Sequence, residues 1–359
     1  MKIVVGLSGG IDSTITAYIL KKQGYQVVGV TMSILQYISS SGLVNQRNIE
    51  LYSHYGLKNI KKIYALTQAL DIPLYVIDCY NEYKDVVLKY LISAYKSGNT
   101  PNPCVQCNKH IKFNVLLNKT KKLGIYFDKF ATGHYANIHL NKYTKTYILT
   151  TAFDKEKDQT YFLHKLTSQE LSRIIFPLFN LTKNKVKQFY NKLNLPIIAQ
   201  KESQDLCFGK TRDLLKCLPA NYGNILNIHG KVIGKHNGIW NYTIGQRKNL
   251  GNLTQAVGPL YVINILPTQN VIIVGEKIHL YSSSCIVNNI SWHIPILINR
   301  VINTKVKIRS QHVPAKATVI LYTPTQAKVE FENKQMSITK GQSAVFYNGK
   351  FIIGGGTIS

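Results

Sequence analysis

A glycine-rich turn near the N-terminus, Gly6-Leu7-Ser8-Gly9-Gly10-Ile11-Asp12-Ser13, constrains the fold more than any other feature. An apolar run, Ile3 to Leu7, leads into it, and a helical pattern, Ser13 to Gln23, follows it. Glycines let the backbone turn tightly and bring its N–H groups against an anion, at the positive end of the helix. The order predicts a βα unit with a phosphate-binding loop. The alternative is an ordinary βα turn, since neither standard nucleotide spacing, G-x-x-x-x-G-K-[ST] nor G-x-G-x-x-G, is present.

Strands and helices alternate through the first two hundred residues. The predicted elements are the strands Tyr25 to Val30, Leu74 to Ile77 and Lys129 to Thr132, and the amphipathic helix Glu82 to Lys96. This order is typical of βαβ units, so we predict an α/β domain with a doubly wound parallel sheet over residues 1–202. Ligands of such sheets bind beyond the carboxyl ends of the strands, where Ser8 to Ser13 and Thr132 to His134 would both lie.

The second half of the chain has short alternating runs, such as Lys305 to Arg309 and Lys328 to Glu332. Asn348-Gly349 between two apolar runs is a strong signal for a type I′ hairpin. We therefore predict a small β-rich central domain at 203–279 and a β-barrel-like domain at 280–359.

The charge balance favours a polyanionic partner. The chain has 44 Lys and Arg against 17 Asp and Glu, a net charge of +27, and from Leu214 to Val329 the only acid is Glu276. Such an excess indicates nucleic acid before membrane. Codon bias is the competing explanation, since few of the basic residues are Arg.

No apolar run reaches the roughly 18 residues of a membrane helix, and the N-terminus is unlike a signal peptide. We expect a cytoplasmic protein.

Two of the six cysteines form a C-x-x-C, Cys104 and Cys107, within the string Thr100 to Asn108. Two prolines precede it, which predicts a stiff exposed loop. A helix beginning near Asn108 would lower the pKa of a nearby thiol through its N-terminal dipole. A pair of unreactive thiols, a zinc ribbon and a thioredoxin-like site are the alternatives, although a zinc ribbon needs a second close pair. The cysteines predicted as small buried hydrophobes are Cys79, Cys217 and Cys285.

The string Ser-Gly-Gly-x-Asp-Ser resembles the PP-loop of ATP pyrophosphatases, which cleave ATP between the α and β phosphates. The whole chain resembles the tRNA-specific 2-thiouridylases in segments spread from end to end. These segments are Gly6 to Ser13, Thr100 to Asn108 with Lys112-Phe113, Ala131 to Tyr135, Lys157 to Phe162, Ser203 to Phe208, Thr243 to Lys248, and Gly341 to Tyr347.

The resemblance implies a role for each matching residue. Cys107 would be the first catalytic thiol, and Cys207 would carry a persulfide. The residues implied in binding ATP are Gly6, Leu7, Ser8, Gly9, Gly10, Ile11, Asp12, Ser13, Met32 and Gly133, with Asp12 suited to Mg²⁺. Those around the target base would be Asn102, Pro103 and Cys104. Those touching tRNA would be His134, Lys157, Asp158, Gln159, Arg309, Ser310 and Gln342.

The implied reaction is 2-thiolation of the wobble uridine of tRNA. Adenylation would turn the C2 oxygen into the leaving group AMP, and persulfide sulfur would attack C2. Cys107 would either release sulfide from the persulfide or resolve the intermediate, and a Cys107–Cys207 disulfide would remain. Because bridging requires Cα atoms within about 7 Å, we expect Ser203 to Phe208 to be mobile and to close on tRNA. A sulfur-carrier protein or cysteine desulfurase would supply the sulfur, and the enzyme would be a monomer.

Three departures from the family pattern affect these expectations. Ser33 to Gln46 contains no acid, Cys104 stands where some members have Asp, and the basic string at Arg309-Ser310-Gln311-His312 is shortened. Three thiolates, from Cys104, Cys107 and Cys207, could instead hold an iron–sulfur cluster. Two other functions remain as alternatives: a PP-loop amidotransferase or ligase, which has no use for the thiols, and a non-catalytic RNA-binding protein.

Overall fold

The computed structural model describes residues 1–34, 43–44, 54–195, 211–215, 218–251, 253–254, 258–295 and 301–359. The chain divides into two compact units. The first comprises Met1–Val87, Cys104–Cys207 and Lys350–Ile352, and the second comprises Leu88–Pro103, Phe208–Gly349 and Ile353–Ser359. The division into three domains at 202/203 and 279/280 remains a prediction.

The helices lie mainly in the first half of the chain. They are α1 (Ile11–Lys22), α2 (His54–Ala69), α3 (Tyr80–Tyr83), α4 (Lys89–Lys96), α5 (Pro103–Gln106), α6 (Leu116–Lys122), α7 (Ser168–Leu171), α8 (Lys183–Lys192) and α9 (Thr211–Leu215). Two π-helical segments, Lys84–Leu88 and Cys107–Val115, join α3 to α4 and α5 to α6. Within the described residues, no helix is both long enough and apolar enough to cross a bilayer.

The first unit is built on a six-stranded sheet. The strands of the sheet, in chain order, are β1 (Lys2–Gly6), β2 (Gln26–Ser33), β3 (Leu43–Val44), β4 (Leu74–Asp78), β5 (Lys129–Thr132) and β8 (Ile174–Ile175). Between β5 and β8 the chain forms a separate hairpin of β6 (Asn137–Asn141) and β7 (Thr146–Thr150), which lies outside this sheet. The sheet order is β3-β4-β2-β1-β5-β8, and every pairing except β3–β4 is parallel.

The apolar run at the N-terminus explains why β1 is central. Ile3, Val4 and Val5 are fully buried, as expected for a parallel strand covered on both faces. One layer packs Ile3 and Val5 with Ala17 and Leu20 of α1. The predicted doubly wound parallel sheet is confirmed, and its carboxyl edge carries the ends of β1, β2 and β5.

The second unit contains two β structures. A small sheet has the order β10-β9-β12-β11, formed by β9 (Gly223–Leu226), β10 (Val232–His236), β11 (Tyr261–Leu266) and β12 (Val271–Gly275). The later strands are β13 (Tyr281–Trp292), β14 (Val301–Lys307), β15 (Ala315–Thr323), β16 (Gln326–Met336), β17 (Ser343–Asn348) and β18 (Phe351–Ile358).

The last six strands form a closed barrel. They follow the order β13-β16-β15-β14-β17-β18, and β18 also pairs with β13, which closes the ring. Inward residues such as Val306, Val319 and Phe346 are fully buried and fill it. Gly349, with φ of +58°, lies in the predicted hairpin turn between β17 and β18. The predicted β-rich second half and the barrel are confirmed.

Candidate functional site

The glycine-rich turn lies between the end of β1 at Gly6 and the start of α1 at Ile11. Ser13 Oγ accepts the Ser8 N–H at 3.2 Å and donates to the Gly10 carbonyl at 3.0 Å, so the turn is held from within. Gly9 has φ of +79°, a conformation that favours glycine. The first N–H groups of α1 have no acceptor inside the helix, and the N-cap Gly10 has no side chain to cover them. This arrangement fits an anion such as phosphate.

Two further residues of the predicted nucleotide site lie at the carboxyl edge of the same sheet. Met32 is the penultimate residue of β2 and pairs with Ile77 of β4. Gly133 directly follows β5, and a Cβ at this position would lie 2.7 Å from the carbonyl carbon of Asp12 and 2.8 Å from the Ser13 nitrogen. Only glycine therefore allows the end of β5 to approach the first turn of α1 this closely.

Asp12, in the first turn of α1, forms an ion pair with Lys183 of α8. The Lys183 ammonium donates to both carboxylate oxygens, at 2.6 and 2.8 Å. Tyr135 Oη donates to the same carboxylate at 2.9 Å, and the Lys183 ammonium lies 5.8 Å from the centre of the Tyr135 ring. The Lys183 side chain is only 10% exposed and that of Asp12 27% exposed. The carboxylate beside the glycine-rich turn is thus held by a buried cation.

The sequence alone did not identify Lys183 or Tyr135 as part of this site. Thr182 is a recognisable N-cap residue, and its hydroxyl accepts the Lys185 N–H at 3.3 Å. That signal predicts where α8 begins and therefore that Lys183 lies in its first turn. It does not predict that α8 packs on α1, which brings Lys183 to Asp12 across 171 positions of sequence.

His134 packs against two aromatic rings beside the end of β5. Its ring centroid lies 5.9 Å from that of Phe113 and 6.1 Å from that of Phe176. Its Nδ1 is 2.7 Å from the Thr132 hydroxyl. Burial lowers the pKa of His134 well below its usual range, and the charge of Lys112 lowers it further. His134 is therefore neutral near pH 7 and is suited to packing or hydrogen bonding rather than to an ion pair with phosphate.

The helix carrying Cys104 and Cys107 begins earlier than predicted. α5 starts at Pro103 and continues without a break through the segment Cys107–Val115 into α6. The prediction of a helix start near Asn108 is wrong, because Pro103 already has the fixed φ that suits the first helical position. Cys107 consequently lies one turn inside the helix, and the dipole argument applies to Cys104. Both thiols are half-buried, and their i, i+3 spacing places them on one face.

Cys79, directly after β4, is fully buried, as predicted. The pKa of the Cys79 thiol is raised to about 12, mainly by burial, although the nearby charge of Lys119 acts in the opposite direction. Burial also raises the pKa of Cys285 to about 12. Neither thiol is ionised near neutral pH, so neither is a good nucleophile.

The segment before the thiols, Thr100 to Asn102, belongs to the second unit and contacts the turn before β17. Gln342 Nε2 donates to the carbonyls of Thr100 and Pro101, both at 3.1 Å. Asn102 is 6% exposed, and its Nδ2 donates to Ser343 Oγ at 3.4 Å. The resemblance implies that Asn102 lies at the target base and that Gln342 touches tRNA, and the structure places these two residues close together.

The string from Lys157 to Gln159 makes hydrogen bonds within the first unit. Asp158 accepts the Ala152 N–H at 3.0 Å and the Thr160 hydroxyl at 2.5 Å. The Gln159 side chain accepts the Tyr135 N–H at 3.0 Å, and its backbone N–H donates to the Tyr135 carbonyl at 2.8 Å. Asp158 and Gln159 therefore hold this loop in place, whatever Lys157 contacts outside the protein.

Arg309 and Ser310 follow β14 in the barrel, and both are half-buried. Arg309 Nη1 donates to the Met336 carbonyl at 2.8 Å, and His312 Nε2 lies 2.9 Å from Gln335 Oε1. Both contacts tie this loop to the end of β16.

Several predicted features lie outside the described residues. Cys207 and the whole string Ser203 to Phe208 are among them, as are Cys217 and most of Ser33 to Gln46. The iron–sulfur alternative depends on Cys207 and is untested for the same reason. Among the described ranges, no cluster of three or more His, Cys, Asp or Glu side chains could hold a metal ion.

Family models match the chain in three consecutive parts. The tRNA methyl transferase HUP domain matches residues 1–211, the tRNA methyl transferase PRC-barrel domain matches 212–276, and the aminomethyltransferase beta-barrel domain matches 282–358. The first model alone covers more than half of the chain.

Relatives of known name match over almost the whole length. A protein of Endomicrobium trichonymphae named tRNA-specific 2-thiouridylase MnmA is 48% identical over 358 residues, 100% of this chain and 99% of that protein. A protein of the same name from Clostridium botulinum (strain Alaska E43) is 38% identical over 364 residues, 99% and 97% of the two chains. A solved structure of the U34-tRNA thiolase NcsA from Methanococcus maripaludis, with its 4Fe–4S cluster, gives a TM-score of 0.34 at 20% identity over 60% of this chain and 64% of that chain. A TM-score of 0.34 is too low for this structure to support an argument about fold or function.

Proposed function

Because the chain belongs to the family of tRNA-specific 2-thiouridylases, we propose that it thiolates C2 of the wobble uridine of tRNA, using ATP and a cysteine persulfide. The chain is a tRNA-uridine 2-sulfurtransferase of the PP-loop type, and tRNA is its substrate. The observation that carries the proposed mechanism is the presence, in one compact unit, of an anion-binding turn and a helix with two half-buried thiols.

The turn supports an ATP site. The first N–H groups of α1 would bind the polyphosphate, and the close approach of Gly133 leaves no side chain at that point of the sheet edge. Met32, at the end of β2, would contribute backbone contacts to the nucleotide. Asp12 would help to hold Mg²⁺, which neutralises charge on the phosphates. Lys183 is a second source of positive charge, already fixed beside Asp12.

ATP is needed because a uracil C2 carbonyl is a poor electrophile with a poor leaving group. The C2 oxygen attacks the α-phosphorus, its bond to phosphorus forms, and pyrophosphate leaves. The C2–O bond can then break with AMP as the leaving group. In this step the turn and Lys183 orient the phosphates and stabilise the charge that develops on them.

Sulfur arrives on Cys207 as a persulfide, supplied by a sulfur-carrier protein or a cysteine desulfurase. Its terminal sulfur attacks C2 and AMP leaves, which gives a Cys207–S–S–C2 intermediate. The Cys107 thiolate attacks the Cys207 sulfur, so the S–S bond to the nucleoside breaks and thiouridine is released. Release of free sulfide by Cys107 before the attack on C2 is the alternative order. Either order leaves a Cys107–Cys207 disulfide, which an external thiol must reduce.

The RNA contacts of the proposal follow the resemblance. Asn102, Pro103 and Cys104 would surround the target base. The contacts to the rest of the tRNA would come from His134, Lys157, Asp158, Gln159, Arg309, Ser310 and Gln342. The neutral state of His134 restricts it to packing or hydrogen bonding. A monomeric, cytoplasmic enzyme is part of the proposal.

The test is mass spectrometry of tRNA incubated with the protein, ATP, Mg²⁺ and a persulfide donor. We expect an oxygen-to-sulfur exchange on one anticodon uridine, lost in Cys107→Ala and Cys207→Ala while tRNA binding is retained. A PP-loop ligase or a non-catalytic RNA-binding protein would be indifferent to both substitutions. An iron content of the purified protein that disappears in Cys104→Ala would instead favour the cluster alternative.

A further inference from the structure

The segment Thr100 to Pro103 cannot hold its own conformation through regular secondary structure. Pro101 and Pro103 have no N–H, so only Thr100 and Asn102 can donate a backbone hydrogen bond. Such a segment needs partners elsewhere, since unpaired buried backbone groups are costly. Pro101 and Asn102 are both buried, which makes the need for partners acute.

Each backbone donor of this segment has a partner within the second unit. The Thr100 N–H donates to the Lys340 carbonyl at 2.8 Å, and the Asn102 N–H donates to Tyr90 Oη of α4 at 3.4 Å. Lys340 belongs to the turn Thr339 to Ser343, which ends on the first residue of β17 of the barrel. This turn is named the clamp turn below.

The clamp turn also satisfies two acceptors with one side chain. The two N–H bonds of the Gln342 amide reach the consecutive carbonyls of Thr100 and Pro101 at equal distances of 3.1 Å. The Gln342 backbone is itself anchored, because its carbonyl accepts the Ile358 N–H at 2.8 Å. A side chain used this way sets the position of two peptide units at once.

The clamp turn is shaped for close approach. Gly341 has φ of +89°, and a Cβ there would lie 2.8 Å from the Thr100 oxygen. Ser343 is 3% exposed and accepts the Asn102 side-chain N–H, which orients that amide. The clamp turn and the segment Thr100 to Asn102 therefore contact each other through both backbone and side-chain atoms.

We propose that the clamp turn is a positioning element of the thiolation site, with Gln342 as its central residue. The proposal rests on the proposed function, which assigns the target base to Asn102 and the first thiol to the helix that starts at Pro103. Gln342 fixes Thr100 and Pro101, Ser343 fixes Asn102, and the next peptide bond begins the helix of Cys104 and Cys107. The barrel thereby sets the geometry of a segment about 240 positions earlier in the chain.

This role replaces the direct contact between Gln342 and tRNA that the resemblance implies, because both N–H groups of the Gln342 amide are used within the protein. A positioning residue changes the rate of reaction of bound substrate, whereas a tRNA contact changes the affinity. Gln342→Met keeps the length of the side chain and removes both donors, and Gln342→Glu also places a carboxylate against two carbonyl oxygens. Lys340→Ala is the matched control, because it removes an exposed cation from the same turn while its backbone carbonyl still accepts from Thr100.

The experiment has two readouts. Hydrogen exchange of a peptide containing residues 99–103 reports the Asn99, Thr100 and Asn102 amides, since the prolines contribute none, and of these the Asn99 N–H donates to the Ala94 carbonyl rather than to the clamp turn. It requires neither ATP nor tRNA and so is independent of the proposed function. Single-turnover thiolation at saturating tRNA, with a separate measurement of the tRNA Kd, gives the functional readout.

We expect Gln342→Met to speed exchange in this peptide and to slow thiolation about 10- to 100-fold, as misplacement of a reacting group does, with the tRNA Kd changed less than about twofold. Gly341→Ala should reproduce the effect through the crowded Thr100 oxygen, and Lys340→Ala should not. Unchanged exchange in Gln342→Met overturns the positioning role. A tRNA Kd raised about tenfold at an unchanged rate overturns it in favour of a direct RNA contact. If Gln342→Met exchanges faster but the wild-type protein itself shows no thiolation, the contact of the clamp turn with Thr100 to Asn102 is supported. In that case it is the proposed function that is refuted.

Discussion

The glycine-rich turn and the segment before the thiols differ in where their hydrogen-bond partners come from. Ser8, Gly10 and Ser13 hold the turn with bonds that span three to five positions. Thr100 and Pro101 are held by Gln342, more than 240 positions away. The first geometry is local and can be predicted from a short string. The second depends on the barrel, so no string around it predicts it.

Asp12 combines a position set by local sequence with a partner that is distant in sequence. Its place in the first turn of α1 follows from the local string, yet its charge is balanced by Lys183 from another helix. A local motif can therefore depend for its electrostatics on a distant residue. This third case offers the sharpest way to test how independent the turn is.

Lys183→Met should have the largest effect on stability. Removing one partner of an ion pair whose lysine is 10% exposed leaves the Asp12 carboxylate with Tyr135 alone. Losses of about 3–5 kcal/mol are typical when a buried pair is broken, and the partial exposure of Asp12 puts the expected loss of unfolding free energy at the low end, about 3 kcal/mol. Urea unfolding measures it.

The double variant Asp12→Asn/Lys183→Met provides the control. It removes both charges, so it should be more stable than Lys183→Met, with a coupling energy of at least about 1 kcal/mol. Additive losses would mean that the turn does not depend on α8. ATP binding should weaken in both variants.

Gly133→Ala should have an intermediate effect, confined to the nucleotide site. The added Cβ would meet the Asp12 carbonyl carbon at 2.7 Å and must displace the first turn of α1. Overpacking of this kind costs about 1–3 kcal/mol, which corresponds to roughly a 10- to 100-fold loss of ATP affinity if the cost falls on the bound conformation. Calorimetric titration with ATP measures this loss.

Gly10→Ala tests the same site without the crowding, because its Cβ would approach only Ser8 Oγ, at 3.6 Å. We expect its unfolding free energy to stay within about 0.5 kcal/mol of wild type. A Gly133→Ala protein that binds ATP normally would show that the end of β5 does not shape the nucleotide site.

The pH dependence of His134 should give the smallest effect. Burial and Lys112 lower its pKa in the folded protein, so below about pH 6.5 the unfolded chain binds a proton that the folded protein does not. Its contribution to stability is therefore present above that pH and is lost as the pH falls. The decline from pH 7 to pH 5 should be shallower in His134→Gln, measured by thermal unfolding.

Other histidines limit how much one substitution can change. Burial also lowers the pKa values of His110, His236 and His312. The wild-type decline should therefore be reduced in His134→Gln and not abolished. An identical pH profile in the two proteins would contradict the neutral, packed state of His134.

The elements with local signals could be predicted from the sequence. The buried run Ile3 to Leu7, the glycine turn and the Asn348-Gly349 hairpin each carry their own pattern, and the structure has all three. The start of the thiol helix was mispredicted because Pro103 was interpreted as part of a stiff loop, although proline also suits the first helical turn. Local signals leave such choices open when a residue suits two structures.

The remaining part of the site could not be predicted because its contacts are long-range. Lys183 reaches Asp12 only because α8 packs on α1, and Gln342 reaches Thr100 only because the second unit includes Leu88–Pro103. The roles of Cys107 and Cys207 came from resemblance to the family. The structure adds to this that the buried Cys79 and the half-buried Cys285 have raised pKa values and are protonated near neutral pH, which leaves Cys104 and Cys107 as the candidate nucleophiles among the described cysteines.

The most direct test of the account follows AMP and sulfur separately on tRNA. ATP labelled at the α-phosphate and a persulfide donor labelled at its outer sulfur are mixed with tRNA, Mg²⁺ and either wild-type protein or Cys107→Ala, and both labels on the RNA are followed in time. The account predicts that Cys107→Ala still cleaves ATP but forms no free thiouridine, so its RNA accumulates as the Cys207–S–S–C2 adduct or, in the alternative order, as adenylated tRNA, while wild type forms thiouridine and releases the AMP. Thiouridine formed by Cys107→Ala at the wild-type rate, or by wild type with ATP left uncleaved, would contradict it.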